Sequence, residues 1–363
     1  MSGTLLTPEA RAASETRPTG RSFAGLVGVE LRRLWWRRLT KVVLLGVVAF
    51  TALTTYYAYN QSSPETIAQR LDSYQAMLQD YERQRAELPQ MIADCRTAEK
   101  AERERTGDQS ISFGCDQMQQ MSQPPSMQEF GISLPLADTL TASLAPDAAF
   151  VFAFLAVILM GSFVGAEFAT GSLGNWLTFT PGRVRVALSK LTAAGIGSAL
   201  IASFGLVLLV LGARMVATVN RPDSSSALPV VDTPEVSVPQ LLLRCVALVV
   251  AAGLLGAALG LLLRHTAGLV GVLLGYLVVV EGVAINAFLG GRLTPWAVTP
   301  NAYAFVNKGH EYMAEVCTTD AGGLSCTYQS HTISYTHGWV YLLVLVLALA
   351  TAAVLLFRRR AVT

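Results

Sequence analysis

Residues 161–191 read GSFVGAEFATGSLGNWLTFTPGRVRVALSKL. The left end of this stretch completes a long apolar run. Its middle turns amphipathic around glycines and a Pro181-Gly182 turn, and its right end carries Arg183, Arg185 and Lys190 into the next apolar run. A polar, basic link between two such runs sits at a membrane surface, so the stretch makes the chain a membrane protein before any other segment is read.

Composition agrees. Of 363 residues, 52% are hydrophobic and only 14% are charged, and the mean hydropathy is +0.44. That leaves too few charged side chains to cover a soluble globule of this length, whereas a chain of bilayer-spanning helices needs few. The formal net charge of +2 gives no ground for a nucleic-acid partner.

Working outward from residues 161–191, apolar segments fall at 42–59, 147–166, 190–216, 239–263, 267–288 and 338–357. At 1.5 Å per residue each is long enough to cross roughly 30 Å of hydrocarbon. Lipid offers the backbone no hydrogen bonds, so each must be a helix. The expected fold is therefore an all-α polytopic membrane protein with six transmembrane helices. Basic residues set the orientation. Arg32, Arg33, Arg37, Arg38, Lys41, Arg183, Arg185, Lys190, Arg264 and Arg358 to Arg360 share one side, against Arg214, Arg221, Arg292 and Lys308 on the other. Both termini are expected in the cytoplasm, in a cell membrane crossed six times.

Residues 1–21 and 358–363 read as cytoplasmic tails, with no signal peptide expected. Residues 22–41 read as a helix lying in the interface, with Phe23, Val27, Leu31, Leu34 and Trp35 on its apolar face and Glu30 and Arg38 intruding on that stripe. Between the first two spans, residues 60–146 form a helical extracytoplasmic insertion. Pro64 stands at a helix start, Ile67, Leu71, Tyr74, Leu78 and Tyr81 make a heptad seam, Arg85 breaks it, and Leu88 and Ile92 resume it before Gly107. This predicts a helical hairpin or a bent helix. Residues 217–238 and 289–337 form the other outer loops.

Cys95 and Cys115 share the first outer loop, and Cys317 and Cys326 share the last. In an oxidising compartment two disulfides follow; the alternative in the last loop is a metal site drawn from Cys317, Cys326, His310, His331 and His337, whose spacing matches no compact zinc pattern. Cys245 is left inside the fourth span. Two charges also lie within spans, Arg244 and Glu281, at similar depths from the outer surface. They either pair across adjacent helices, or Glu281 lines a cavity. The spacings GSFVG (161–165), GAALG (256–260) and GVLLG (271–275) permit close helix contact, within a bundle or across a dimer.

With these elements in order, the chain resembles the permease subunits of type-2 ATP-binding-cassette (ABC) exporters. The resemblance rests on Gly165, Glu167, Gly171, Ser172, Leu173, Leu177, Pro181, Arg183, Val186 and Lys190. These are similar to the family's run of Gly-x-Glu, Gly-Ser/Thr-Leu and Pro-x-Arg ending in Ser-Lys-Leu before the third span; Ala169 and Thr170 stand where the family usually has a basic residue. The resemblance implies that a helix around 167–178, with Glu167 at its start, docks on an ATPase subunit in the cytoplasm. Glu167, Gly171, Ser172, Leu173, Leu177, Pro181 and Arg183 would be the coupling residues. It also implies a second permease chain, as a homodimer or with a similar partner. The sequence itself has no G-x-x-x-x-G-K-[ST] phosphate loop, no H-E-x-x-H and no G-x-S-x-G elbow. The chain is thus expected to be no enzyme and to bind no cofactor or metal, with ATP and Mg on the partner. The alternatives are an ion-coupled secondary transporter using Glu281, or a membrane scaffold or sensor presenting the 60–146 helices.

Overall fold

The computed structural model describes residues 22–115, 124–127, 129–132, 134–169, 182–221, 237–320 and 323–359. Among the described residues, six helices are long and apolar enough to cross a membrane. The described elements are α1 (Phe23–Trp36), α2 (Arg38–Gln61), α3 (Pro64–Thr106), α4 (Ala137–Ala169), α5 (Arg183–Val219), α6 (Val238–Leu263) and α7 (Thr266–Gly275). A π-helical run, Tyr276–Phe288, continues α7; a short 3-10 turn, Thr294–Trp296, then precedes α8 (Val298–Asn307), strands β1 (Gly309–Asp320) and β2 (Gly323–Ser334), and α9 (Tyr335–Arg359). The chain forms two compact units.

The larger unit comprises residues 1–51, 143–208 and 237–363. Its centre is α4, whose apolar window is 72% buried against 11% for α7 with its continuation and 17% for α9. Phe152, Leu159, Met160 and Phe163 on α4 are fully buried. Two of the small-residue spacings explain how α6 reaches α4. A Cβ on Gly256 would overlap the Val157 carbonyl, and one on Gly260 would overlap the Gly161 carbonyl, so the two backbones touch where side chains are missing. On α7, by contrast, a Cβ at Gly271 or Gly275 meets nothing within 4 Å.

The smaller unit comprises residues 52–142 and 209–236. Here the sequence left a hairpin or a bent helix open, and the structure has one continuous helix. α3 runs 43 residues through Pro89, begins at an Ser63 cap whose hydroxyl accepts from Thr66 N–H, and ends at Gly107 in the left-handed region. The seam is visible in its burial: Ile67 is buried, and Leu71, Tyr74, Leu78, Tyr81, Leu88 and Ile92 are half-buried, while Arg85 is exposed. Tyr74 packs edge-on to Phe130 at 5.6 Å, and the Arg70 guanidinium donates to the Gly131 carbonyl at 3.2 Å. Asn220, just past α5, donates to the Tyr59 carbonyl and the Ser62 hydroxyl at 2.7 and 2.9 Å, tying the ends of α5 and α2 together.

Other expectations need correction. The fold is not wholly α: residues 309–334 form an antiparallel β-hairpin with Cys317 opposite Cys326. Threonine and tyrosine occur in both arms, with Val316 in the first and Ile333 in the second, and these residue types favour a pleated surface. The second and third apolar segments belong to helices that begin earlier, at Ala137 and Arg183. The buried face of α1 is Leu26, Val27, Glu30 and Leu34, whereas Phe23 and Trp35 of the expected stripe are 39% and 61% exposed. The helix is rotated so that its acid faces inward.

Candidate functional site

The ends of α4 and α5 that flank residues 170–181 meet α1 in a buried cluster of charge. The Lys190 ammonium lies 2.9 Å from Glu30 and 2.6 Å from Glu167. Arg33 reaches Glu167 at 3.2 Å and Glu30 at 3.7 Å. The side chains of Lys190 and Glu30 are 1% and 0% exposed, so neither is solvated by bulk water. Two acids and two bases therefore balance one another inside the protein. That balance is what such groups require once they are removed from water.

Each helix explains part of the arrangement. Glu167 sits in the last turns of α4, where the helix dipole disfavours an anion, and the cations of Lys190 and Arg33 offset that penalty. Glu30 and Arg33 are one turn apart on α1 and so present neighbouring side chains. Phe163 on α4 forms the apolar floor: Lys190 lies 5.4 Å and Arg37 5.7 Å from its ring centre. Burial lowers the Arg37 guanidinium below its ordinary pKa, with Glu167 opposing that shift and Arg33 adding to it. At the same end of the larger unit Arg264, the left-handed cap of α6, lies 5.2 Å over Phe168, and Phe168 packs edge-on to Phe357 of α9.

Of the residues that carried the resemblance, Gly165, Glu167, Arg183, Val186 and Lys190 are described; Gly171, Ser172, Leu173, Leu177 and Pro181 lie outside the described residues. Glu167 is not at the watery start of a helix, as the sequence implied. It is 7% exposed and within α4. Arg183 opens α5 at the other end of the segment. Sequence reasoning missed Glu30 and Arg33. Their signal was the lone acid on the apolar stripe of a basic helix.

Arg244 and Glu281 do not pair. Glu281 accepts from the backbone N–H groups of Val298 and Thr299 at 2.7 and 3.1 Å. It thus supplies the first turn of α8 with the acceptor that Ala297, its own cap residue, cannot provide. Arg244 donates from Nε to the Gln240 carbonyl at 3.3 Å, and its two terminal nitrogens are buried without a hydrogen-bond partner among the described residues. Beside α8 lies an apolar cavity of about 450 Å³, whose lining includes Phe150, Val157, Leu248, Leu255, Tyr276 and Leu345. Glu281 is not part of that lining, although Tyr276 and Val298 are.

Both cysteine pairs lie at disulfide geometry, Cys95 with Cys115 at a Cα separation of 5.8 Å and Cys317 with Cys326 at 4.0 Å. Glu315 lies close to the second pair, but thiols joined to each other are not metal ligands. The three loop histidines are apart: His310 stacks on Tyr303, His331 on Tyr312, and His337 contacts the Pro295 carbonyl at 3.1 Å.

No protein-family model matches the chain, and no curated protein and no solved structure matches it.

Proposed function

We propose that this chain is the permease subunit of an ABC exporter, moving a substrate out of the cytoplasm with ATP hydrolysed on a separate subunit. The observation that carries the reading is the ion cluster. It fastens the chain on both sides of residues 170–181 to each other and to α1 through Glu167, Lys190, Glu30 and Arg33. A push on the intervening segment would then reach α1, α4 and α5 together. Loose loop ends would dissipate it. The resemblance of residues 165–190 to the family's coupling segment supplies the partner, and the missing phosphate loop supplies the reason one is needed.

In this reading the charged end of the larger unit faces the cytoplasm, as the excess of Lys and Arg there favours. ATP and Mg bind the partner. A second permease chain would pack against the sparsely buried face of α7, where Gly271 and Gly275 leave room for close approach. The ion-coupled alternative loses its main support, because Glu281 already holds two backbone amides of α8. The test is purification from native membranes with an ATP-hydrolysis assay. An ATPase should accompany the wild-type chain, and Leu173→Pro should separate hydrolysis from transport. Transport at the wild-type level in Leu173→Pro, or a chain that purifies with no ATPase, rejects the proposal.

A further inference from the structure

In the smaller unit a second cavity, about 510 Å³, is lined by Leu134, Pro135, Leu136 and Ala137 on one side and by Arg214, Ala217, Thr218 and Arg221 on the other. Arg214 lies in the last turns of α5 and Arg221 just past its end at Val219, and both side chains line this one cavity. Both are exposed, and neither forms an ion pair or hydrogen bond with a described residue. Asp138, next to the lining, is exposed and pairs with neither. Two cations therefore converge on one cavity that no carboxylate among the described residues neutralises.

Position decides what such a cavity would hold. Arg221 lies two residues beyond the apolar span that ends at Val219, and Arg214 lies within its last turns, so the pair straddles the depth where phospholipid headgroups sit. Beside the arginines α5 exposes Leu211, Met215 and Val219, at 56%, 55% and 61%. The far wall is apolar. This is the outline of a phospholipid: a phosphate held by two arginines at the surface, with acyl chains running down an apolar helix face.

We propose that Arg214 and Arg221 form a binding site for the phosphate of an anionic phospholipid, with Leu134–Ala137 as the ledge over its glycerol and the exposed face of α5 beside its chains. Guanidinium groups suit phosphate oxygens because their donors are planar and paired. The site does not depend on the ABC reading or on which side of the membrane it faces.

The experiment is native mass spectrometry of the purified full chain titrated with phosphatidylglycerol or phosphatidylcholine. Wild type should retain phosphatidylglycerol in preference. R214Q/R221Q should lose about 25-fold in apparent affinity, at about fivefold per arginine near an anionic lipid surface, while R214K/R221K should stay within about fivefold of wild type. Equal retention of the two lipids by wild type marks ordinary boundary lipid and overturns the proposal. So does unchanged affinity in R214Q/R221Q, or displacement of phosphatidylglycerol by 10 mM inorganic phosphate, which would assign the cavity to the free anion. If R214Q/R221Q does not fold, the wild-type lipid preference and the lysine variant still decide the matter.

Discussion

Lys190 stands between Glu30 and Glu167, 2.9 Å from one and 2.6 Å from the other, so a single ammonium joins α5 to both α1 and α4. Removing it takes from two buried carboxylates the ammonium they share. Lys190→Met should cost about 3–5 kcal/mol of stability, as uncompensated buried charge does. The triple variant Lys190→Met, Glu30→Gln, Glu167→Gln should recover most of that loss, because no buried carboxylate then lacks its ammonium, and Arg33, which loses both acids, is 37% exposed and can be solvated. Thermal unfolding in detergent reads both. A triple variant no more stable than Lys190→Met would mean that the cluster acts through packing.

Glu281 and α8 make a second prediction. Glu281→Gln keeps an oxygen that can accept from Val298 and Thr299, whereas Glu281→Ala leaves the Thr299 N–H without this acceptor and the Val298 N–H with the Tyr276 hydroxyl at 3.1 Å. The alanine variant should lose about 1–2 kcal/mol locally, visible as faster hydrogen exchange in residues 298–302. Glutamine should stay near wild type. Unchanged exchange in the alanine variant would show that the cap does not hold α8.

The glycines separate contacts within one chain from contacts between chains. Gly256→Ala forces a Cβ onto the Val157 carbonyl and should destabilise by about 1–3 kcal/mol. Gly271→Ala meets nothing within 4 Å and should leave the stability of a single chain unchanged. If α7 packs on a second permease chain, Gly271→Ala should instead weaken the dimer, measured by light scattering in detergent. A monomer at all concentrations for wild type and variant alike would remove α7 as an interface.

His310 gives the β-hairpin a pH dependence. Burial lowers its pKa below the ordinary 6.5, and its ring stacks on Tyr303 at 5.5 Å between centres. The unfolded hairpin takes up a proton near pH 6.5, whereas the folded one resists it until lower pH. Stability from this group is thus complete above about pH 6.5 and falls as the pH drops below it. Divided by the intrinsic amide rate at each pH, hydrogen exchange of the hairpin should rise between pH 7.5 and 5.5 in wild type by more than in His310→Phe, which keeps an aromatic ring and cannot titrate. Equal changes in both proteins would assign the effect elsewhere.

The six spans were legible because a bilayer demands length and apolarity, and both can be counted along the chain. The α3 seam was legible for a related reason: its 3.5-residue repeat survives from Ile67 to Ile92 whatever surrounds it. Glu30 was not legible. Its partner Lys190, and the Glu167 that shares this lysine, lie far along the chain, and a stripe drawn from apolar residues alone treats a buried acid as an error of phase. Arg244 and Glu281 were expected at similar depths, but depth says nothing of rotation about the helix axis, and Glu281 reaches α8 instead of Arg244. The hairpin at 309–334 was missed because its β-branched and aromatic residues were read as loop composition, not as two arms facing across residues 321–322.

The central claim is that residues 170–181 touch an ATPase, and site-specific photo-crosslinking in native membranes tests it most directly. A photoreactive residue in place of Leu173, with one in place of the exposed Leu211 of α5 as control, should yield a protein adduct only from position 173. Peptide sequencing of that adduct should identify a polypeptide containing a G-x-x-x-x-G-K-[ST] phosphate loop. Adducts from position 173 that contain lipid alone, or proteins without such a loop, would contradict the account.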